Sequence, residues 1–286
     1  MSKATDPPNI QSLLTSCNNV FPRTSKLPSQ SPKYWVKEKD RYLRQLLICD
    51  IQQDTGRELV VYFTNFANGS MISSDATDLS EVLDDCKTKN VDILIHTPGG
   101  SVDACEQVIS ILKLRLPTGY RVIVPSMAKS AGTVVSLSAT EIVMGVNSEL
   151  GPIDPQFSGI PAEFIANDPN ASYQLQQIAN NAILRMHKLA RNVVRSGMWK
   201  DKDEEEINKL IEKLSSTQSY LSHGAVINVE EARNLGLVVN YMQPKDETWK
   251  NIWLLFCMYD YDCRQLGYSK IFEGERISLL KPLLSS

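Results

Sequence analysis

The sequence predicts an α/β fold built on a mostly parallel sheet, and three observations carry this prediction. An apolar run at residues 91–95 breaks at Thr97-Pro98-Gly99-Gly100, as a buried strand does at a turn. Apolar residues then recur at helical spacing through residues 108–116. A β-branched run at residues 121–125 ends in small residues around Ser130, before a further helical pattern. Strand, turn, helix, strand, turn and helix in this order describe a βαβα unit with parallel strands.

The remaining elements follow in chain order. Residues 59–64 predict a strand, and Ser73-Ser74-Asp75 offers a cap for the helix after it. Helix patterns place Ile178 and Leu184 among the core candidates of a long helix. The predicted helices cover residues 76–89, 103–114, 134–139, 173–195, 203–214 and 229–235; a strand is predicted at 141–144, and loops at 147–156 and 158–172.

Length and composition predict one large domain with extensions. With 286 residues, of which 42% are hydrophobic, the chain can bury a full core. We expect a mobile arm at residues 1–32, which are rich in Ser and Pro, and a helical extension at 33–58. The α/β domain is predicted at 59–243, and an aromatic-rich extension at 244–286. A helix predicted from Trp249 to about Gln265 either joins the core or forms an association surface, and the second is favoured.

Charge and cysteine content narrow the class of protein. A net charge of −3 gives no excess of basic residues of the kind that indicates nucleic-acid binding. Six cysteines without a CxxC pair predict reduced thiols in a cytoplasmic protein. Cys257 and Cys263 have no nearby His or second Cys pair, so we expect no metal site there. No apolar run approaches the roughly 20 residues of a membrane span, and the N-terminus lacks a signal-peptide core, so a soluble chain is expected.

The chemistry that fits the central unit is acyl transfer. Ser130 lies where a strand meets a helix, so its side chain is expected to be exposed near a positive helix end. Gly99 and Gly100 can bring bare N–H groups close to a ligand because they have no Cβ. A nucleophilic serine needs a base, and its oxyanion needs such donors. The alternative is a phosphate loop or two tight turns, which a lone Gly-Gly or a lone Ser would favour.

Two motifs carry a family resemblance. Residues 98–102, PGGSV, and 128–132, AKSAG, resemble the Clp-protease and signal-peptide-peptidase group of the crotonase-like fold. Within that group the chain most resembles the serine dehydrogenase proteinase (SDH) family, over about residues 60–239. The resemblance implies repeated ββα units around a mostly parallel sheet, and assembly into rings. It also implies that Ser130 is the nucleophile, and that the N–H groups of Gly100 and Ala131, in the loop with Gly99, form the oxyanion hole.

The general base stays open at this stage. Clp proteases carry their histidine in the loop corresponding to residues 147–156, which here has Asp154 and no histidine. His223, in a loop ahead of the closing helix, is the first candidate, because imidazole is the commonest base. Asp154 could orient a base or act weakly itself, and His96 could orient the oxyanion loop. Lys129 should point away from the adjacent Ser130, whereas the mid-helix Lys188 is expected to be exposed.

These observations predict a soluble, cytoplasmic serine endopeptidase that acts on a protein or peptide. Ser130, His223 and Asp154 are the expected catalytic residues, and no metal, nucleotide or other cofactor is expected. A homo-oligomer is predicted, without nucleic-acid or membrane partners. The alternative from another class is a catalytically silent or partner-activated Clp-fold scaffold that binds peptides. A crotonase-type acyl-CoA enzyme, with the same oxyanion hole and no nucleophilic serine, is a third hypothesis.

Overall fold

The computed structural model describes residues 31–283, which fall in two compact units divided between Leu43 and Arg44. Most of the predicted N-terminal arm, residues 1–30, lies outside the described residues. In the first unit the Ser31 hydroxyl accepts the Tyr34 N–H and so begins a helix. The Trp35 ring lies edge-on to the rings of Tyr34 and Tyr42, with centroids 5.4 and 5.5 Å apart. This unit is thus organised by aromatic contacts of its own.

Helices and strands alternate along most of the chain. The helices are Pro32–Lys37 (α1), Lys39–Thr55 (α2), Ser74–Asp84 (α3), Val102–Arg115 (α4), Ala131–Leu137 (α5), Ala162–Asn167 (α6), Tyr173–Ser196 (α7), Glu204–Ser215 (α8), Val229–Asn234 (α9) and Glu247–Gln265 (α10). The strands are Glu58–Thr64 (β1), Val91–His96 (β2), Arg121–Val124 (β3), Met127–Ala128 (β4), Glu141–Met144 (β5), Glu149–Leu150 (β6), Gln156–Phe157 (β7), Ile160–Pro161 (β8), Val239–Tyr241 (β9), Tyr268–Glu273 (β10) and Ser278–Pro282 (β11).

Within residues 44–283 the main sheet has seven strands in the order β11-β10-β1-β2-β3-β5-β9. The run from β1 to β9 is parallel, whereas β10 and β11 pair antiparallel. The predicted α/β fold with a mostly parallel sheet is confirmed. Because parallel strands end at the same edge, the turns after β2 and β3 lie side by side.

Helices cover both faces of this sheet. Along β1, Val60 and Tyr62 join the larger apolar core with α3, α4, α5, α7 and α8. Leu59, Val61 and Phe63 point the other way, into a second core with α10 and the part of α2 after Arg44. Strands buried on both faces read as continuous apolar runs, which is why the sequence identified β1 and β2 so readily.

The C-terminal segment corrects two expectations. The helix predicted from Trp249 to Gln265 exists as α10, but its apolar face is buried in the second core, and Trp249 is only 3% exposed. Its main apolar face is therefore core and not the favoured association surface. The sequence also missed β10 and β11, which extend the main sheet beyond β1.

Two smaller predictions were wrong around α7. Residues 158–172, predicted as a loop, contain β8 and the short helix α6. Ile178 and Leu184, predicted as core, are 53% and 65% exposed, and the buried face of α7 instead carries Ala179, Met186 and Ala190. Apolar residues occur on more than one face of this helix, so the sequence pattern did not distinguish the face that packs on the core.

Candidate active site

Ser130 adopts a backbone conformation that few side chains tolerate. Its φ of 50° and ψ of −116° lie outside the regions favoured by L-residues. It immediately precedes α5 but makes no capping hydrogen bond with its side chain, and it is only half-buried. Strain of this kind persists only where the surrounding structure enforces it, and it is concentrated at functional sites. The turn presents a hydroxyl that the fold itself does not use for capping.

The glycine turn after β2 lies directly against this serine turn. Thr97 pairs with Ala128 in a parallel bridge, donating its N–H to Met127 O at 3.1 Å. A Cβ placed on Gly99, at φ 104°, would lie 2.8 Å from the Ser130 Cβ. The predicted convergence of the two turns is therefore present, and Gly99 is required by the close approach as well as by its φ.

Two backbone donors flank this contact without an intramolecular acceptor. Met71 bridges to Gly100, donating to Gly99 O at 2.7 Å and accepting from Ser101 N at 3.1 Å. This pairing uses the Gly99 carbonyl and the Ser101 N–H, on either side of Gly100, and leaves the Gly100 N–H unused. Within residues 31–283 neither the Gly100 N–H nor the Ala131 N–H donates a hydrogen bond to another protein group. Two unused N–H groups next to the half-buried Ser130 are the donor set that an oxyanion requires.

The structure joins two residues that the sequence proposed separately. The His223 Nδ1 lies 2.7 Å from Asp154 Oδ1, across 69 residues of chain. The Asp154 side chain is 8% exposed and its other oxygen accepts from Gln156 Nε2, whereas the His223 side chain is 32% exposed. The carboxylate holds one ring nitrogen and leaves Nε2 for another partner.

Both loops that carry this pair are attached to the serine turn. Ala128 pairs with Leu150 in the parallel β4–β6 ladder. Leu150 lies four residues before Asp154 in the chain. Leu150 also pairs with Ile227, which lies four residues after His223. The backbone N–H of each donates to the carbonyl of the other, at 2.9 and 3.0 Å. The Thr133 hydroxyl lies 2.8 Å from Ala128 O and 2.9 Å from Gly151 O, which share its single proton, and it accepts the Gly151 N–H at 3.0 Å. The segments around Ser130, Asp154 and His223 thus form one hydrogen-bonded cluster.

The other predicted base candidates lie elsewhere. His96 is buried, with its ring stacked on Phe63 at 4.4 Å and its Nδ1 3.0 Å from Thr64 O. Burial lowers the pKa of His96 to about 4, so its ring is neutral. Its stacking partner belongs to the second core, so His96 is a structural residue. Lys129 turns away from Ser130, as expected, and Lys188 is exposed.

Sequence analysis missed the residues that support the glycine turn and Asp154. Met71 pairs with Gly100, and Gln156 donates to the Asp154 carboxylate. Neither has a local signal, since each acts through a contact that the turn geometry creates. Residues 31–283 contain no cluster of three or more His, Cys, Asp or Glu side chains arranged to hold a metal ion. Over the same residues, no helix has the length and hydropathy needed to cross a bilayer.

The sheet, with the paired turns at its carboxyl edge, is consistent with a ClpP-like α/β fold. Comparison with known families agrees, because the family described as ClpP-like SDH-type serine proteinase matches residues 71–265. The chain belongs to this family.

Similar proteins add little about activity. Two uncharacterized proteins of Methanocaldococcus jannaschii are similar to the chain: one is 36% identical over 190 residues and the other 30% over 163. The matches cover 63% and 54% of this chain but only 62% and 53% of the relatives, so the chain spans less than two thirds of their length. A solved structure titled as the 1510-N membrane-bound stomatin-specific protease, a serine-to-alanine mutant, is 17% identical, with a TM-score of 0.42 over 66% of this chain and 82% of that one.

Proposed function

We propose that the protein is a serine endopeptidase that hydrolyses peptide bonds through Ser130, His223 and Asp154. The observation that carries the proposal is the 2.7 Å contact between His223 Nδ1 and Asp154 Oδ1, in loops bonded to the serine turn. A nucleophile, a base and a group that orients the base are the parts of a serine-protease triad, which is recognised by geometry and not by chain order.

Asp154 sets the tautomer of the base. Because its carboxylate only accepts, the bonded Nδ1 carries a proton, and the lone pair of a neutral His223 ring is on Nε2. That nitrogen faces away from Asp154 and takes the hydroxyl proton of Ser130 in the substrate complex. The partly exposed ring can adjust when a substrate closes over the site, because catalytic hydrogen bonds tighten in that complex.

The acylation step follows from these positions. The Ser130 Oγ forms a bond to the scissile carbonyl carbon while its proton passes to His223 Nε2. The carbonyl oxygen becomes an anion, which the N–H groups of Gly100 and Ala131 stabilise. The carbon–nitrogen bond then breaks, and His223 returns its proton to the departing amine. The product of this step is an ester on Ser130.

Deacylation repeats the chemistry with water. His223 accepts a proton from a water molecule whose oxygen attacks the ester carbon. The second tetrahedral oxyanion occupies the same two N–H groups, and its collapse releases Ser130 Oγ, which regains the proton from His223. One peptide bond and one water molecule are consumed, and one carboxylic acid and one amine are formed. A protein or peptide is the substrate class.

A fluorophosphonate probe tests this proposal, because it reacts only with an activated serine. The wild-type protein is expected to be labelled at Ser130, as read by mass spectrometry of the modified peptide. Ser130→Ala should abolish labelling, whereas Asp154→Asn should slow it by about 10⁴-fold and His223→Ala by about 10⁶-fold, because the three groups act as a unit. Ser219→Ala, four residues before His223 and with an exposed side chain, is the matched control and should react normally.

Other outcomes assign other functions. A folded wild-type protein that no probe labels and that cleaves no peptide library would support the peptide-binding scaffold. Labelling at Ser130 with unchanged rates in both His223→Ala and Asp154→Asn would exclude this pair as base and orienting group. Hydrolysis of acyl-CoA esters that survives in Ser130→Ala would favour the crotonase-type hypothesis.

A further inference from the structure

Lys129, the residue before Ser130, is buried and all its donors have partners. Its ammonium donates to Ala225 O at 2.9 Å and to Leu150 O at 3.2 Å. Its Nζ also lies 3.3 Å from Glu149 Oε1. An ammonium has three N–H donors, so these three acceptors use its whole capacity. Lys129 therefore has no donor or lone pair left for Ser130.

The two carbonyls belong to the loops that carry the proposed acid–base pair. Leu150 is four residues before Asp154, and Ala225 is two residues after His223. An extended chain spans at most about 3.3–3.6 Å per residue. Because Ala225 is bonded to Lys129, the backbone of His223 therefore lies within about 7 Å of that bonded residue. One side chain thus connects the serine turn, the Asp154 loop and the His223 loop.

The backbone opposite this side chain is shaped to admit it. A Cβ placed on Gly151 would lie 2.7 Å from Lys129 Cδ and 3.6 Å from its Cα. Any other residue at 151 would displace the lysine stem or the loop itself. The path of Lys129 between the two loops therefore depends on a glycine three residues before Asp154.

We propose that Lys129 is a positioning residue that holds the Asp154 and His223 loops in register with Ser130. The proposal rests on the proposed function, since it assigns a role within that site. Lysine suits this role because its three donors diverge from one atom and match acceptors on two separate loops. A methionine of similar length fills the same space but donates nothing. It would leave the Ala225 carbonyl without its donor and the Leu150 carbonyl with only the Ile227 N–H.

The arrangement makes the site sensitive to alkaline pH. Burial lowers the pKa of Lys129 from its ordinary value, and the facing Glu149 carboxylate partly raises it again. Leu150 and Gly151 have no titratable side chain to face Lys129. His223, the titratable group on the Ala225 loop, is bonded to Asp154. As the pH rises through the Lys129 pKa, one of three donors is lost and the loops loosen. Removing the Glu149 charge should move this transition to lower pH.

The test compares fluorophosphonate labelling rates of the full chain in the wild type, Lys129→Met, Glu149→Gln and a control, Lys113→Met. Lys113 is also a lysine whose pKa is lowered by burial, but it lies in the last turn of α4 and bonds Ser196 Oγ. Lys129→Met should lower the maximal labelling rate about 10²-fold, as expected from a misplacement of about 1 Å, with little change in probe affinity. Glu149→Gln should shift the alkaline fall in rate to lower pH, and Lys113→Met should match the wild type.

Hydrogen exchange of residues 222–227 provides a readout that does not depend on activity. Lys129→Met should speed exchange in this segment, and Lys113→Met should not. A wild type that is not labelled would overturn the proposed function, and the exchange result would still decide the role of Lys129. Labelling of Lys129→Met within threefold of the wild type, an unmoved alkaline limb in Glu149→Gln, or unchanged exchange would overturn the positioning role. If Lys129→Met does not fold, Glu149→Gln decides through its pH profile.

Discussion

Lys270 Nζ lies 2.7 Å from each carboxylate oxygen of Asp75, although 195 residues separate them along the chain. Asp75 also accepts the Tyr62 hydroxyl at 2.6 Å and the Ile72 N–H at 2.9 Å. Ile72 follows Met71, which pairs with the glycine turn. Lys270, in strand β10, thereby supports the back of the proposed oxyanion loop.

Lys270→Met should destabilise the protein strongly. It leaves the Asp75 carboxylate buried without its cation, and breaking a buried ion pair from one side costs about 3–5 kcal/mol. Denaturant unfolding followed by circular dichroism measures the change. Lys250→Met is the control, because its pair with Glu247 is exposed and should contribute less than about 1 kcal/mol. Equal free energies of unfolding in the two variants would contradict the importance of this pair.

Gly99→Ala should abolish the reaction with fluorophosphonate while the fold persists. The new Cβ would meet the Ser130 Cβ and Lys129 O, each at 2.8 Å, and would push the two turns apart. The displaced turn carries the Gly100 N–H. Loss of one oxyanion donor typically costs about 10²–10³ in rate, and the displaced serine adds to this. The labelling rate and the melting temperature are measured together.

Gly267→Ala is the matched control for this change. Its φ of 70° imposes a similar backbone penalty, but a Cβ there meets nothing within 4 Å. Both variants should lose about 1 kcal/mol from the positive φ, and Gly99→Ala should lose more because its Cβ meets neighbouring atoms; only Gly99→Ala should lose labelling. Normal labelling of Gly99→Ala would show that the glycine turn is no more than a turn.

His96 should make folding sensitive to acid. Its pKa is about 4 in the folded protein, because burial disfavours the imidazolium, and about 6.5 when unfolded. Above pH 6.5 both states are neutral and the contribution is fully present. As the pH falls from 6.5 towards 4, only the unfolded state gains the proton, so stability is lost across this window.

Replacing His96 removes this sensitivity. Between pH 7 and pH 4.5 the wild type should lose about 2–3 kcal/mol more of its unfolding free energy than His96→Gln does. The comparison requires urea titrations at both pH values. His187→Gln is the control: this half-buried histidine also has a pKa lowered by burial, and its removal should change the acid dependence less. Parallel pH profiles for the wild type and His96→Gln would refute the assignment.

Burial of most of the aromatic segment leaves fewer residues of α10 available for the predicted contact between subunits. Because Trp249 and its apolar neighbours are in the core, the large exposed apolar residues of α10 are Leu254 and Tyr261. We predict an oligomer in light scattering, and a shift towards the 32.0 kDa monomer in a variant carrying Leu254→Lys and Tyr261→Lys. A wild-type monomer would count against assembly. An oligomer that this variant leaves intact would assign the contact to another surface.

The elements found from sequence are those with a local cause. Strands β1 and β2 are continuous apolar runs, and the turns at Gly99 and Ser130 follow from small residues at the ends of adjacent parallel strands. Strand β10 was missed because it buries Lys270 and Glu273, whose charges face Asp75 and Arg44 far along the chain. Polar residues interrupt the apolar pattern of a strand, although each is neutralised in the fold.

The sequence by itself determined the parallel α/β frame, the approach of the glycine turn to Ser130, and His223 and Asp154 as separate candidates. Only the tertiary structure decided that His223 and Asp154 contact each other, that Lys129 donates hydrogen bonds to Leu150 O and Ala225 O, and that the C-terminal strands extend the sheet. The reason is physical. Periodicity and turn chemistry act between residues near in sequence, whereas a hydrogen bond across 69 residues exists only once the sheet has brought two loops together.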